Sequence, residues 1–508
     1  MNHIARSSLI IAVFFGVDKV LGFIRQVLIA RQFDLSRELD AFNAANNLPE
    51  LIFVLISGGA LAMAFIPVLS EYLEKGGRPL AWDLFSRIAN LVFIVTAFLS
   101  IVIAIFAEQL VSWRLGIAPG FDAEQQALVA DLMRLNLIAT LIFSISGLII
   151  ASLQANQHFL LPAMAPAMYD IGMLVGVLVL APTEPYSFGP ITLPALGHGV
   201  HGLVYGVILG AILFFLILVP GLIRFKFRWA PAINLQHPGV RQVLAVLAPR
   251  VGTVFFIQLI FFAQDNIASH QAPGAVTALV YGWLFMQVPE SLIGTAIGTA
   301  LLPTISEHIV RGQRDAFIKA LNHTMRVILA LTIPSALLLG IGVRPIVAIL
   351  GFDSAGVELV VWTTRAFLVG LAGHALLEVV VRAFYAQQNA RTPLFAAALA
   401  AGSYIPMAII FARYLGVPGI ALANAIVITS QTLVLLWLLN REFFGLWQVS
   451  DTLVRVAVVS IIGSAFVYVL LQIPLPIHPL PISVLAMGFG GLLILPFILK
   501  EIRLLIKL

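Results

Sequence analysis

The sequence of 508 residues contains no cysteine, and only 10% of its residues are charged. The absence of cysteine excludes disulfides, thiolate nucleophiles and cysteine-based metal sites, but it does not fix a compartment. Soluble domains carry about 25% charged residues, so this chain has too little polar surface to coat a water-soluble particle. Because 60% of the residues are hydrophobic, a polytopic membrane protein is predicted.

Motifs for common enzyme chemistry are also missing. The chain has no Walker-type phosphate loop, no HExxH zinc motif and no GxSxG elbow. We therefore expect neither an enzyme nor a bound cofactor or metal. The net charge of +5 comes without a basic stripe that has interleaved aromatic residues, so no nucleic-acid partner is expected. The first apolar stretch carries Asp18, Lys19 and Arg25, which argues against a cleavable signal peptide.

Apolar runs long enough to cross a membrane recur along the whole chain. A transmembrane helix needs about 20 residues, and the runs between polar turns predict about fourteen of them. They lie near 8–33, 41–70, 85–107, 128–152, 159–181, 199–222, 243–268, 276–304, 317–341, 357–386, 394–413, 418–440, 452–472 and 480–499. The predicted fold is an all-α polytopic membrane protein with two six-helix lobes around a central cavity and two further C-terminal helices.

Faint internal repeats suggest the two lobes. Pro67–Glu71 resembles Pro303–Glu307, and Gly199–Leu203 resembles Gly416–Ile420. Chance similarity between apolar segments is the alternative. Parallel repeats in transporters hold their substrate between the repeats, near the midplane of the bilayer. The predicted division is an N-terminal lobe at 1–225, a C-terminal lobe at 226–445 and a helix pair at 446–508.

Lysine and arginine are concentrated in alternate loops. The loop at 183–198 contains neither residue, whereas Arg224, Lys226, Arg228 and Arg241 cluster after the sixth predicted span. Positive loops stay on the cytoplasmic side. The pattern predicts a bacterial inner (plasma) membrane protein with both termini in the cytoplasm.

The first predicted span is unusually polar for a membrane helix. Asp18, Gly22 and Arg25 share one helical face, with Lys19 beside them. Ionisable groups inside a membrane cost a few kcal/mol and mark functional sites unless a partner neutralises them. Gly22 leaves room for a partner or a ligand to approach.

A second polar stripe follows in the next span, at Asp40, Asn43, Asn47 and Glu50. Two such stripes on neighbouring helices suggest a wet cavity. One interpretation is structural: Arg25 and Lys19 pair with Asp40 or Glu50 and hold the two helices together. The other is that the two cations contact an anionic headgroup, for which arginine offers a forked donor. Both can be true.

Further polar residues lie in the second predicted lobe. Asp265 has no obvious intrahelical cation and is a candidate proton or cation coupling site, the alternative being a hydrogen-bonded interface residue. Glu378 and Arg382, spaced i and i+4, are predicted to form a structural pair. The candidate substrate-binding residues are Arg25, Lys19, Asp40, Asn43, Asn47, Glu50, Gln287 and Glu290.

Several of these segments resemble a known family. Together they are similar to the signature of the MviN/MurJ lipid II flippases, within the polyprenyl-oligosaccharide exporter superfamily. The matching segments are Leu21–Arg25, Asp40–Phe42, Ala64–Pro67, Leu302–Ser306 and Arg382–Pro393. The resemblance implies a flippase of peptidoglycan biosynthesis, which moves an undecaprenyl-diphosphate-linked precursor from the inner to the outer leaflet by alternating access. It further implies a monomer, with cell-wall synthesis enzymes as potential partners.

The chain departs from the family pattern at its cations. Phe53 and Leu284 stand where the family has arginines, and Glu50 and Glu290 add carboxylates after two prolines. The eleventh span, 394–413, lacks Asp, Glu, Asn and Gln, so sodium coupling is not expected. The departures leave two alternatives open: a transporter of another polyprenyl-linked glycan or a cation-coupled antiporter, and a scaffold of cell-wall synthesis that transports nothing.

Overall fold

A computed structural model describes residues 3–57, 59–446, 450–473 and 479–505. The chain forms two compact units, Met1–Pro273 and Gly274–Leu508. The division of the chain at 225 and 445 was inferred from sequence repeats and stays a prediction.

The first unit contains nine α-helices among its described residues. They are α1 (His3–Phe33), α2 (Arg37–Ala45), α3 (Asn47–Ile52), α4 (Gly59–Ile105), α5 (Ala107–Ser112), α6 (Ala123–Ala155), α7 (Leu160–Val175), α8 (Val200–Arg224) and α9 (Pro238–Ala268). Two π-helical segments, Phe53–Ser57 and Gly176–Leu180, follow α3 and α7. A short antiparallel ribbon pairs β1 (Ser187–Phe188) with β2 (Ile191–Thr192).

The second unit is helical throughout its described part. Its helices are α10 (Ala275–Glu290), α11 (Ala296–Val310), α12 (Arg314–Ala348), α13 (Ser354–Leu368), α14 (Leu371–Ala386), α15 (Arg391–Leu415), α16 (Val417–Glu442), α17 (Ser450–Leu471) and α18 (Pro479–Leu505). A third π-helical segment, Ser291–Thr295, joins α10 to α11.

Each predicted span falls on helical segments. Within the described ranges, 11 helices are long and apolar enough to cross a membrane, or up to 12 if the pair α13 and α14, bent by 43°, is one span. The predicted all-helical membrane fold is confirmed, and the predicted number of about fourteen spans agrees roughly with this count.

The second predicted span, 41–70, is broken rather than continuous. Helix α2 ends at Ala45, and α3 begins at Asn47. Pro49 explains the break, because its ring clashes with the carbonyl four residues earlier and it has no N–H to donate to that carbonyl. Beyond the span, α4 turns sharply at Gly77, whose φ is 68°, a backbone conformation that glycine adopts without a steric penalty.

Helices α7 and α8 approach each other closely because glycines face one another. A Cβ atom at Gly172 would lie 2.3 Å from the Cα of Gly210, and one at Gly206 would lie 2.7 Å from the Cα of Gly176. Small residues allow membrane helices to pack backbone against backbone. This contact sets the position of α7, which carries a carboxylate described below.

Local backbone structure repeats between the two units. Gly199 and Gly416, which precede α8 and α16, have φ values of 54° and 63°. After α6 and α14, Gln157 and Gln388 take φ values of 56° and 58°. Residues other than glycine rarely adopt such angles, so these two turns are locally similar in the two units, while the repeat itself stays a prediction.

Candidate functional site

The central feature of the first unit is an ion pair between α1 and α7. Arg25 donates a hydrogen bond from Nη1 to Oδ1 of Asp170 at 2.5 Å, and the two side chains are only 18% and 5% exposed. Asp170 is the one charged residue in the apolar run 159–181. The sequence predicts Asp40 or Glu50 as the partner of Arg25 and does not single out Asp170, although an isolated carboxylate in a span is itself a signal.

A row of aromatic rings extends from Arg25 of this ion pair. The guanidinium carbon of Arg25 lies 5.5 Å from the ring centroid of Tyr169. The ring centroids of Tyr169 and Phe143 are 5.6 Å apart. Phe143 in turn packs edge-on against Phe53 at 5.8 Å. Phe53 therefore extends an aromatic row that ends at the cation.

Neighbouring residues on α1 have different surroundings. A Cβ atom on Gly22 would lie 3.5 Å from Oδ2 of Asp170, so the space at Gly22 admits the carboxylate of α7. Lys19 lies 3.3 Å from Asp18, and its side chain is 65% exposed. Exposed pairs of this kind contribute about 0–1 kcal/mol, so Arg25 is the better-held cation of the two.

The polar stripe of α2 and α3 makes one contact to a distant helix. Asn47 donates from Nδ2 to Oδ2 of Asp265 on α9 at 2.9 Å, and Asp265 is buried. Glu50 is exposed and accepts a hydrogen bond from Asn46 at 3.1 Å. The structure thus brings together Asn47 and Asp265, for which the sequence predicts no mutual contact.

The other two members of the stripe lie deeper. Asp40 is only 1% exposed, and Asn43 is half-buried. Both have partners in the structure.

The second unit places its polar candidates along α10, the π-helical segment and α14. Arg382 forms an ion pair with Glu378 within α14 and donates from Nη2 to Oγ1 of Thr299 at 3.3 Å. Glu290 accepts a hydrogen bond from Thr295 at 3.3 Å, while Gln287 is exposed. In this unit Arg382 and its partner Glu378 lie one turn apart on the same helix.

The described residues contain no group of three histidine, aspartate or glutamate side chains that could hold a metal ion.

A family model described as lipid II flippase MurJ matches residues 29–479 of this chain. The chain belongs to the MurJ family. The resemblance noted in the sequence is confirmed, and the protein is a multi-pass membrane protein. Curated relatives include the lipid II flippase MurJ of Burkholderia cenocepacia, 29% identical over 478 residues that cover 92% of this chain and 89% of the relative.

Other MurJ relatives and solved structures agree with this placement. A probable lipid II flippase MurJ of Vibrio cholerae is 26% identical and covers 84% of this chain and 80% of its own length. A solved lipid II flippase MurJ in an inward closed conformation has a TM-score of 0.78 at 23% identity, covering 98% of this chain and 100% of the solved one. An inward-facing MATE multidrug transporter gives 0.68 at 14% identity over 86% and 95% of the two chains. These structures share the MurJ-type fold.

Proposed function

We propose that this protein is a flippase for a cell-wall precursor of the lipid II type. It moves an undecaprenyl-diphosphate-linked substrate from the inner to the outer leaflet by alternating access, without ATP. It acts as a monomer in the bacterial inner membrane, with both termini in the cytoplasm and cell-wall synthesis enzymes as potential partners. Membership of the MurJ family over residues 29–479 supports the proposal, as does the near full-length match to a curated lipid II flippase.

The observation that carries the mechanism is the pair between Arg25 and Asp170. A diphosphate that leaves water needs a fixed positive charge, and a guanidinium offers forked donors to phosphate oxygens. The pair is buried within helices of the membrane fold, where a lone cation would be costly. Asp170 therefore balances the charge of Arg25 while the substrate is absent.

Exchange of one anion for another at Arg25 is the step that we assign to substrate capture. Nε of Arg25 is buried without a hydrogen-bond partner, so Asp170 does not use all the donors of the guanidinium. Two unit charges 4 Å apart attract each other by about 4 kcal/mol at an effective dielectric of about 20. A diphosphate carries more negative charge than one carboxylate and can displace Asp170 from Arg25.

The other polar candidates suit the saccharide and peptide parts of the substrate. Amide and carboxylate groups accept hydrogen bonds from sugar hydroxyls, and such groups occur in both units. We assign this role to Asp40, Asn43, Asn47, Glu50, Gln287 and Glu290, with Lys19 as a second cation.

Asp265 is the candidate coupling residue. Its hydrogen bond from Asn47 joins α3 to α9, and the arrival of a proton or a cation at this carboxylate would weaken that bond. The same carboxylate, with Glu50 and Glu290, supports the second candidate function, in which another polyprenyl-linked glycan or an organic cation is carried by a coupled antiport.

Reconstitution into proteoliposomes separates these functions. We expect the purified protein to move fluorescent lipid II across the bilayer without ATP and without flux of an organic cation placed in the same vesicles. Translocation of a different polyprenyl-linked glycan in preference to lipid II would contradict the assigned substrate. Cation flux without lipid movement would favour the antiporter, and no transport of any substrate would favour the scaffold.

A further inference from the structure

A cavity of about 500 Å³ lies in the first unit, outside the site described above. It is formed by the part of α4 that follows Gly77 and by the segment after α8. Its polar and aromatic lining consists of Arg78, Trp82, Asp83, Lys226, Arg228 and Trp229.

Hydrogen bonds hold the walls of this cavity together. The indole nitrogen of the buried Trp82 donates to the carbonyl of Phe225 at 3.2 Å, and that of Trp229 donates to Oδ1 of Asn90 at 2.8 Å. Asn90 donates to the carbonyl of Ala230, also at 2.8 Å. The segment after α8 is therefore fastened to α4 along several residues, so its cations are held in defined positions.

The charge of the cavity is unbalanced. Asp83 is bound on both carboxylate oxygens by Arg87, at 2.7 and 3.0 Å. Among the ion pairs of the described residues, none includes Arg78, Lys226 or Arg228. Three cations thus line one cavity whose only carboxylate is already neutralised, which favours an anionic ligand.

Apolar groups in the lining indicate what carries the anion. Trp229 is 62% exposed, and Pro79 and Ala230 also line the cavity. Tryptophan concentrates at membrane interfaces, where the ring lies at headgroup level, and basic pockets between membrane helices bind anionic headgroups. A ligand with a phosphate and acyl chains would match both the cations and the apolar groups of this lining.

The second unit has a cavity of similar local construction that differs in volume, in charge and in its aromatic lining. Arg314 lies over the ring of Phe443 at 4.9 Å, as Arg78 lies over Phe225 at 5.4 Å, and both phenylalanines end a helix. That cavity is about 320 Å³, includes Asp315 in its lining and contains no tryptophan. The local construction is shared, whereas the features that favour a lipid are found in the first cavity.

We propose that the first cavity binds the phosphate of an anionic bilayer phospholipid. Arg78, Lys226 and Arg228 contact the phosphate oxygens, and Trp229 lies beside the glycerol and the start of the acyl chains. In the orientation proposed above, this lipid belongs to the inner leaflet. The inference needs no flippase activity, so it can fail or hold independently of the proposed function.

Native mass spectrometry of the full-length protein in detergent tests the proposal. The protein is titrated with phosphatidylglycerol, with phosphatidylcholine, and with phosphatidylglycerol in the presence of millimolar glycerol phosphate. We expect a one-to-one phosphatidylglycerol adduct at lower lipid concentration than for phosphatidylcholine, without competition by glycerol phosphate. Equal binding of the two lipids would overturn the proposal. Competition by glycerol phosphate would show that a soluble phosphate is the ligand and overturn the lipid assignment.

Variants locate the lipid. The triple variant Arg78→Gln, Lys226→Gln, Arg228→Gln should bind phosphatidylglycerol about a hundredfold more weakly, since each basic residue near an anionic lipid surface contributes to binding. Arg228→Gln alone should give a smaller loss, and thermal unfolding checks that both variants fold. The matched control is Lys319→Gln, which changes a cation that lines the second cavity. Unchanged binding in the triple variant, or an equal loss in the control, would contradict the site.

Discussion

Each unit has a largely buried arginine in an ion pair, but the two pairs are built differently. In the first unit Arg25 on α1 pairs with Asp170 on α7, so the pair depends on how two helices pack. In the second unit Arg382 pairs with Glu378 within α14, so the pair persists wherever that helix moves. A cation whose partner lies on another helix can change partner when the helices shift. We therefore propose Arg25, rather than Arg382, as the residue that exchanges a carboxylate for a substrate phosphate.

The largest expected effect is the loss of transport when Arg25, but not Arg382, is replaced. Arg25→Gln should reduce lipid II translocation in proteoliposomes about 10- to 100-fold, because a charge-assisted hydrogen bond contributes about 1.5–3 kcal/mol. Arg382→Gln should leave the rate within about threefold, since an intrahelical pair contributes about 0.3–0.5 kcal/mol. Equal losses in the two variants would remove the distinction between the units.

The next largest effect concerns the glycine contact between α7 and α8, which positions Asp170. In Gly206→Leu the new Cβ would lie 2.7 Å from the Cα of Gly176, which is too close for two carbon atoms. We expect a loss of about 3 kcal/mol in unfolding free energy. Gly402→Leu on α15 is the matched control, because a Cβ there has no neighbour within 4 Å. Thermal unfolding in detergent measures both, and an unaffected Gly206→Leu protein would show that α7 is not fixed by this contact.

Two adjacent asparagines sharpen the comparison within the first unit. Asn47→Ala removes a hydrogen bond that the buried Asp265 accepts, which should cost about 1–3 kcal/mol of unfolding free energy. Asn46→Ala removes a bond to the exposed Glu50 and should change stability by less than about 0.5 kcal/mol. If the two variants unfold alike, the contact between α3 and α9 does not stabilise the first unit.

The smallest effect is a pH dependence outside the membrane spans. Burial and the nearby Arg224 lower the pKa of His158 below its ordinary 6.5, so the folded protein protonates this imidazole at a lower pH than the unfolded chain does. As the pH falls below 6.5, the unfolded chain binds a proton that the folded protein does not, and stability declines by at most about 1.4 kcal/mol per pH unit.

The corresponding turn of the second unit supplies the control for this effect. It has Asn389 at the position of His158, after a residue with the same left-handed backbone. His158→Asn should therefore lessen the loss of thermal stability between pH 7.5 and 5.5. An unchanged pH profile would assign the acid sensitivity to other groups.

The sequence predicted the membrane fold well and the site only in part. Apolar runs gave the helices, because the length needed to cross a bilayer is fixed by its thickness. The break before α3 follows from Pro49. The break was not predicted, because Pro49 lies within a continuous apolar run. The partner of Arg25 could not be read from spacing, because Asp170 lies 145 positions away and comes into contact only through the packing of α7. The bond between Asn47 and Asp265 was missed for the same reason.

The most direct test removes both charges of the central pair and keeps its shape. In the double variant Arg25→Gln, Asp170→Asn, no buried charge is left alone, so thermal stability should stay within about 1 kcal/mol of the unmodified protein. The rate of lipid II translocation in proteoliposomes should nevertheless fall at least tenfold, because the diphosphate has lost its cation. A stable double variant that translocates lipid II at the unmodified rate would show that the pair only holds α1 to α7, and it would contradict the account.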